Sequence, residues 1–155
     1  MVLVLLHQFL SNALKRHLDE TQPLIDQIFD DALIKSPVKD GRPLGEVLLH
    51  MLRSMDFYLI GLAKNEWTPL SYSLEEYNTA ETLRTLAYEV FDRAREYVDL
   101  LDDGMLKMTI SLFSRPATAA EILLEVIEHS IHHRGQITVY YRLLGIEVPR
   151  IPYIV

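Results

Sequence analysis

His129 and His133 stand four residues apart in the run Glu128-His129-Ser130-Ile131-His132-His133-Arg134-Gly135-Gln136. If that run is helical, both imidazoles leave one face, a turn apart. Two neutral imidazoles so placed can grip the same transition metal, whereas residues two apart would diverge. The segment around them, Ala119 to Leu144, is helix-patterned. Its seam reads Ile122, Val126, His129, His133, Tyr140 and Leu143, with Gln136 between. Both histidines therefore fall where the helix should face its neighbours. A polar pair there needs something to offset its desolvation, and a metal ion is one answer.

A third imidazole comes from the second helical pattern, about Pro43 to Ala63. Leu48, Met51, Leu52, Met55, Leu59 and Leu62 form one apolar stripe; Val47, His50, Ser54 and Phe57 form a second beside it. His50 lies between them and should point inward. One histidine from this helix and two from the last make a set with open coordination positions, as a catalytic divalent ion requires.

The elements that must bring these residues together follow from the rest of the chain. A first helix is expected over Leu3 to Ile34, with a bend at Pro23, beginning in the apolar stretch Met1 to Leu6 as a buried end. Ser36 to Pro43, with two prolines and a glycine, reads as loop. A third helix is expected over Leu74 to Leu101, with Ser73 as N-cap and Glu75-Glu76 in its first turn, ended by Asp102-Asp103-Gly104. Met105 to Arg115 alternates in the manner of a strand and has no obvious partner, so it is either an extended connection or pairs with its copy in a dimer. Thr118 with Glu121 forms a capping box for the last helix; Gly145 ends it, and Ile146 to Val155 is an apolar extended tail. Four amphipathic helices without a convincing sheet predict an all-α, up-down four-helix bundle with a short extended segment between helices 3 and 4.

The chain has 155 residues, which suits a single domain over 1–155, with 49% hydrophobic and 24% charged residues. A net charge of −7 argues against a nucleic-acid surface. The sequence contains no cysteine, so a transition metal must be held by histidine and oxygen, and any thiolate must come from outside the chain. No stretch approaches a membrane span, and the expected location is cytoplasmic.

His129-Ser-Ile-His-His133-Arg134-Gly135-Gln136, followed by Ile137-Thr-Val-Tyr-Tyr-Arg-Leu-Leu-Gly145 and Pro149, resembles the C-terminal signature of the DinB-like (YfiT-like) metalloenzyme superfamily. Leu48-Leu-His50-Met-Leu, leading to Phe57-Tyr-Leu, resembles that family's second-helix histidine segment. The resemblance in layout covers nearly the whole chain. It implies a bundle, often a homodimer, with a divalent ion (zinc, nickel, iron or manganese) on His50, His129 and His133. It further implies a metal-dependent enzyme acting on a small molecule. Characterised relatives include thiol (S-)transferases using low-molecular-weight thiols, a thiol-dependent isomerase and YfiT-like hydrolases. The alternatives are a hydrolase using metal-activated water, or a non-enzymatic bundle that binds a small ligand or a partner. The family name does not imply DNA binding.

Around the three ligands, Glu46 and Glu125 each stand one turn before a histidine and are candidates to hold an imidazole by its second nitrogen. His132, one step off the seam, is a flanking candidate; His7 and His17 read as structural or solvated. Arg134 should pair with an acid on another helix, Gly135 should permit close helix packing, and Gln136 should satisfy a buried polar group. Tyr140 is a hydrogen-bond donor candidate, with core packing as its simpler role, as for Tyr58. Ser54 can leave room for a substrate.

Overall fold

The computed structural model describes residues 2–153, with side chains from Leu5 to Tyr153. The apolar stripes read above become four long helices: α1 (Val2–Asp26), α3 (Leu44–Lys64), α4 (Ala80–Leu100) and α6 (Ala119–Leu143). Two short helices, α2 (Asp30–Leu33) and α5 (Asp103–Lys107), and two short strands, β1 (Thr109–Ile110) and β2 (Ala117–Thr118), lie in the connections. The long helices form a closed ring in the order α1, α4, α3, α6. The first and second long helices are thus diagonal, and the chain between them, residues 27–43, crosses the end of the bundle. The all-α bundle is as expected. Leu48, Leu49, Met51, Leu52 and Met55 of α3 share one buried core with Leu83, Ala87, Val90 and Phe91 of α4 and Leu123 of α6. At about 25 cal/mol for each Å² of apolar surface removed from water, this shared core is the main stabilising term.

Several boundaries differ from expectation, each for a local reason. Pro23 lies inside α1, which runs on to Asp26. A proline in the last turn forfeits one hydrogen bond near an end that frays in any case, so the break moves downstream. The apolar N-terminal end expected to be buried is exposed at Leu5 and Leu6, 62% and 38%; the side chains of residues 1–4 lie outside the described ones. The third long helix starts at Ala80, not Leu74. The Tyr77 N–H does bond to the Ser73 carbonyl, but that turn does not propagate. Thr79 and Thr82 close a reciprocal capping box instead, and Asp30 Oδ1 accepts from the Ala80 N–H at 2.7 Å. Two caps competed, and the one with an additional acceptor from α2 set the start.

The alternating stretch after α4 also divides. Asp102 caps α5, which takes Met105 to Lys107, and only Thr109 and Ile110 remain as strand. Their partner is within the chain: Thr109 pairs with Thr118 and Ile110 with Ala117, antiparallel. This two-residue ladder delivers the chain directly into α6, whose Thr118–Glu121 capping box forms as read from sequence. Beyond Gly145, which takes a left-handed φ of 71°, the tail packs Ile146, Val148 and Ile151 on the core. The last two residues of that expected tail, Ile154 and Val155, lie outside the described residues.

Candidate metal centre

α3 and α6 pack side by side, and their contact brings His50 onto His129 and His133. His129 Nε2 is 3.2 Å from His50 Nε2 and 3.0 Å from His133 Nε2. One nitrogen from each of the three rings lies within 4.8 Å of the others. His133 is buried, while His50 and His129 are half-buried. Three residues after His133, Gln136 bonds its Nδ1 through Oε1 at 2.6 Å. An amide oxygen only accepts, so Nδ1 carries the proton and Nε2 presents a lone pair.

This donor set fits a divalent ion. With metal–imidazole bonds of about 2.0–2.1 Å, ligand nitrogens at angles between octahedral and tetrahedral stand roughly 2.9–3.4 Å apart. The His129–His50 and His129–His133 Nε2 separations, 3.2 and 3.0 Å, fall in that range. Protons serve the same cluster poorly. His133 has none to offer at Nε2, so its contact with His129 consumes the one His129 proton, and that nitrogen has no lone pair left for His50. A cation gives all three lone pairs one partner. The rings are also kept in the ligating, neutral state. Burial, then the charges of His133, Arg42, His129 and Arg53, lower His50 to about 4. Burial is likewise the largest cause lowering His129 and His133, with Gln136 acting in the opposite sense on His133.

The surrounding candidates separate. His132 is exposed and outside the three-nitrogen cluster, its ring 5.1 Å from that of His133. Glu46 and Glu125 do not hold imidazoles. Glu46 Oε1 accepts from the Leu74 N–H, and Glu125 forms an exposed ion pair with Arg115 at 2.8 Å. Side chains on a helix lean toward its N-terminus, so a glutamate one turn before a histidine leans away from it, whereas Gln136, just after, leans back. Tyr140 donates to the Arg42 carbonyl at 3.0 Å and so ties residues 36–43 to α6, not to an imidazole. A Cβ added at Gly135 would meet nothing within 4 Å, so its expected role in close packing is replaced by an open position on a cavity wall. Leu143, placed on the seam by pattern, is exposed.

Arg134 does pair with an acid on another helix. It sits one residue past His133 and turns to α1, where Nη1 bonds Glu20 Oε2 and His17 Nδ1, each at 2.9 Å. A guanidinium only donates, so His17 is the neutral tautomer protonated at Nε2. Burial, then the Arg134 charge, lowers it to about 3. His17 Nε2 and the buried Ser130 Oγ have no hydrogen-bond partner among the described residues. His7, by contrast, reaches the Val98 carbonyl.

Two cavities meet the triad. The first, about 470 Å³, is lined by His50 and His129 together with Ser54, Tyr58, Phe113 and Val126, with the Arg115–Glu125 pair at its wall. The second, about 900 Å³, reaches His50 and His133 past Asp40, Arg42, Gln136 and Tyr140. His50 alone borders both. Sequence reading anticipated Ser54 as spacious but missed Phe113, Asp40 and Arg42. They stand in irregular segments, where no periodicity shows which way a side chain turns.

The fold and the cluster together define a helical bundle with a three-histidine centre between two of its helices. A family profile confirms the class: residues 4–154 match the DinB family, and the chain belongs to it. The chain is 27% identical over 132 residues to the uncharacterised protein YjoA of Bacillus subtilis, covering 83% of this chain and 84% of that one. It is 24% identical over 137 residues to YrdA of the same organism, with 86% and 80% covered. The crystal structure of YjoA, a DinB-like protein, superposes with a TM-score of 0.76 at 22% identity, over 93% of this chain and 95% of that chain. A DinB-like protein from Bacillus cereus gives 0.72 at 25% identity, over 87% and 90%. Among the described residues no helix is long and apolar enough to cross a membrane.

Proposed function

We propose that the chain is a divalent-metal-dependent enzyme that transfers a small external thiol to an electrophilic substrate. The observation that carries the metal is the convergence of three Nε2 atoms, with Gln136 fixing the His133 tautomer. Two cavities bordering the one triad support two reactants over one, and therefore transfer over hydrolysis. The absence of cysteine means that the thiol is a co-substrate.

His50, His129 and His133 would hold the ion, leaving positions open. A divalent ion so held supplies Lewis acidity, bringing the pKa of a bound thiol or water toward neutrality. The chain's own contributions are positional. Gln136 keeps His133 as a nitrogen donor, and the first cavity, walled by Tyr58 and Phe113, shields an apolar or aromatic substrate from water. Arg42 and Arg53 place positive charge near His50, which favours an anionic nucleophile beside it.

The test is metal content after purification without a nickel column, paired with His133→Ala. One ion per chain in the wild type and none in the variant is the expected result; unchanged stoichiometry in the variant would remove the centre as drawn. A screen of the loaded protein with small thiols and electrophilic acceptors then separates transfer from hydrolysis, which would proceed without thiol. We further propose a homodimer, for which a light-scattering mass of one chain would be decisive against.

A further inference from the structure

The second cavity carries a pair of opposite charges of which the metal reading uses only Arg42. Its wall opposite α6 is the loop after α2, which carries Asp40 and Arg42 two residues apart. Both residues line the cavity and are exposed, and neither has an ion-pair or side-chain hydrogen-bond partner among the described residues, including each other.

The loop is built to hold these two charges in place. Asp40 adopts a left-handed φ of 59°, strained for a residue with a Cβ though tolerated best by aspartate and asparagine. The Gly41 N–H bonds the Val38 carbonyl at 3.0 Å, and Ser36 Oγ reaches the carbonyls of Val38 and Gly41 at 2.9 and 3.1 Å. Tyr140 then pins the Arg42 carbonyl to α6. A Cβ at Gly41 would come within 3.0 Å of the Tyr140 hydroxyl, so the loop approaches α6 as closely as a glycine allows. Arg42 is close enough that its charge is felt at both His50 and His133.

We propose that this cavity seats the headgroup of a small thiol bearing an α-amino acid, with Arg42 taking its carboxylate and Asp40 its ammonium. A separated cation and anion on one wall, neither neutralised by the protein, complement a zwitterion. A purely anionic ligand would meet Asp40 as a like charge, and a purely cationic one would meet Arg42. The cavity runs from this pair to His50 and His133, so a headgroup held here directs the thiol to the triad. The inference deepens the transferase reading and rests on it for the role of the sulfur; the headgroup is set by the loop charges alone.

The test uses the full-length protein at low ionic strength, metal-free and zinc-loaded, titrated with L-cysteine, cysteamine and 3-mercaptopropionate while amide resonances are followed by NMR. Ion content is measured before and after each titration. L-cysteine should shift Val38 to Arg42 and bind about ten-fold more tightly than either analogue, one charged contact being lost in each. Arg42→Gln should weaken L-cysteine about ten-fold while cysteamine, relieved of a like charge, binds no more weakly than before; Asp40→Asn should weaken L-cysteine while 3-mercaptopropionate binds no more weakly than before. Equal binding of all three thiols, or indifference to both variants, overturns the proposal. If the wild type retains no zinc while these charge dependences persist, the headgroup seat stands and the metal-enzyme reading fails; zinc bound without them sinks only the seat.

Discussion

Helix α6 carries two polar pairs of the same spacing, offset by a single residue: His129 with His133, and Ser130 with Arg134. Of the second pair, Arg134 turns to α1 and ends in a local settlement, since it is both ion-paired and hydrogen-bonded to Glu20 and also donates to His17, while Ser130 Oγ is buried without a partner among the described residues. The first turns to α3 and meets only another imidazole, so acceptors face acceptors with too few protons between them. Both are polar groups on a core-facing surface, and burial alone would not tell them apart. What distinguishes them is whether donors and acceptors cancel within the protein. The pair facing α1 settles its charge within the protein and holds two helices together, leaving only Ser130 Oγ and His17 Nε2 without partners among the described residues; the pair facing α3 needs a cation to settle its lone pairs.

The sharpest way to break this contrast is to remove each member and ask which property falls. Arg134→Met leaves Glu20 buried, with only the 3.7 Å contact to the exposed Arg16. Stability should drop by about 3–5 kcal/mol, the range for stranding one charge of a buried pair, as read from the urea midpoint. Metal stoichiometry in the fraction that remains folded should be unchanged. His133→Ala should do the reverse. Metal affinity should fall by more than the roughly hundred-fold typical of losing an outer partner, in competition with a chromogenic chelator. The metal-free variant should unfold within about 1–2 kcal/mol of the metal-free wild type, because the partners it would strand, exposed Gln136 and half-buried His129, both border open cavities and can turn to water. If Arg134→Met abolished metal binding in folded protein, the two pairs would be one network and the contrast would be wrong.

How far the sequence carried this picture depended on whether a feature is local. The main stripe of α3 was legible because a 3.6-residue period names the buried face directly, and Leu48, Met51, Leu52, Met55, Leu59 and Leu62 are all buried. The convergence of His50 with His129 and His133 was legible for the same reason, one helix face at a time. The start of α4 was not, because it turned on Asp30, fifty positions away, capping Ala80. Nor was the β1–β2 pairing, whose partner strand is two residues long and hidden in a capping sequence. Asp40 and Arg42 sit in a loop that crosses the bundle diagonal, and its course is fixed by Tyr140 on the last helix.

Smaller effects refine each side of the comparison. Gln136→Leu removes the acceptor on His133 Nδ1 and frees the tautomer, so metal affinity should fall about ten- to a hundred-fold with little change in metal-free stability. On the other side, His17 is held neutral, its pKa lowered to about 3 by burial and then by Arg134, against about 6.5 in the unfolded chain. Below pH 6.5 the unfolded chain takes up a proton that the folded chain refuses. This contribution is therefore fully present above 6.5 and is lost progressively as the pH falls toward 3, at up to about 1.4 kcal/mol per pH unit. His17→Asn keeps an acceptor for Arg134 and should make the acid slope of stability shallower by about one proton. The imidazoles of the triad titrate in both proteins and cancel from the difference. Identical slopes would mean that His17 is charged in the fold.

The smallest effect concerns the two glutamates that spacing alone recommends. Glu125 is paired with Arg115 at the surface, both side chains more than half exposed, so Glu125→Gln should cost less than about 0.5 kcal/mol. Glu46→Gln keeps an oxygen for the Leu74 N–H and should be as mild. Neither should change metal affinity by more than about two-fold, well short of the range for a residue that orients a ligand. The comparison with Gln136 is then internal to the same site: a carboxylate four residues before a histidine and an amide three residues after one are both about one helical turn away. A helix points its side chains toward its own N-terminus, so only the later residue reaches the ring. A ten-fold loss of metal affinity in Glu46→Gln would show that its carboxylate swings onto His50 when the ion binds, and would put a fourth residue on the open side of the contrast.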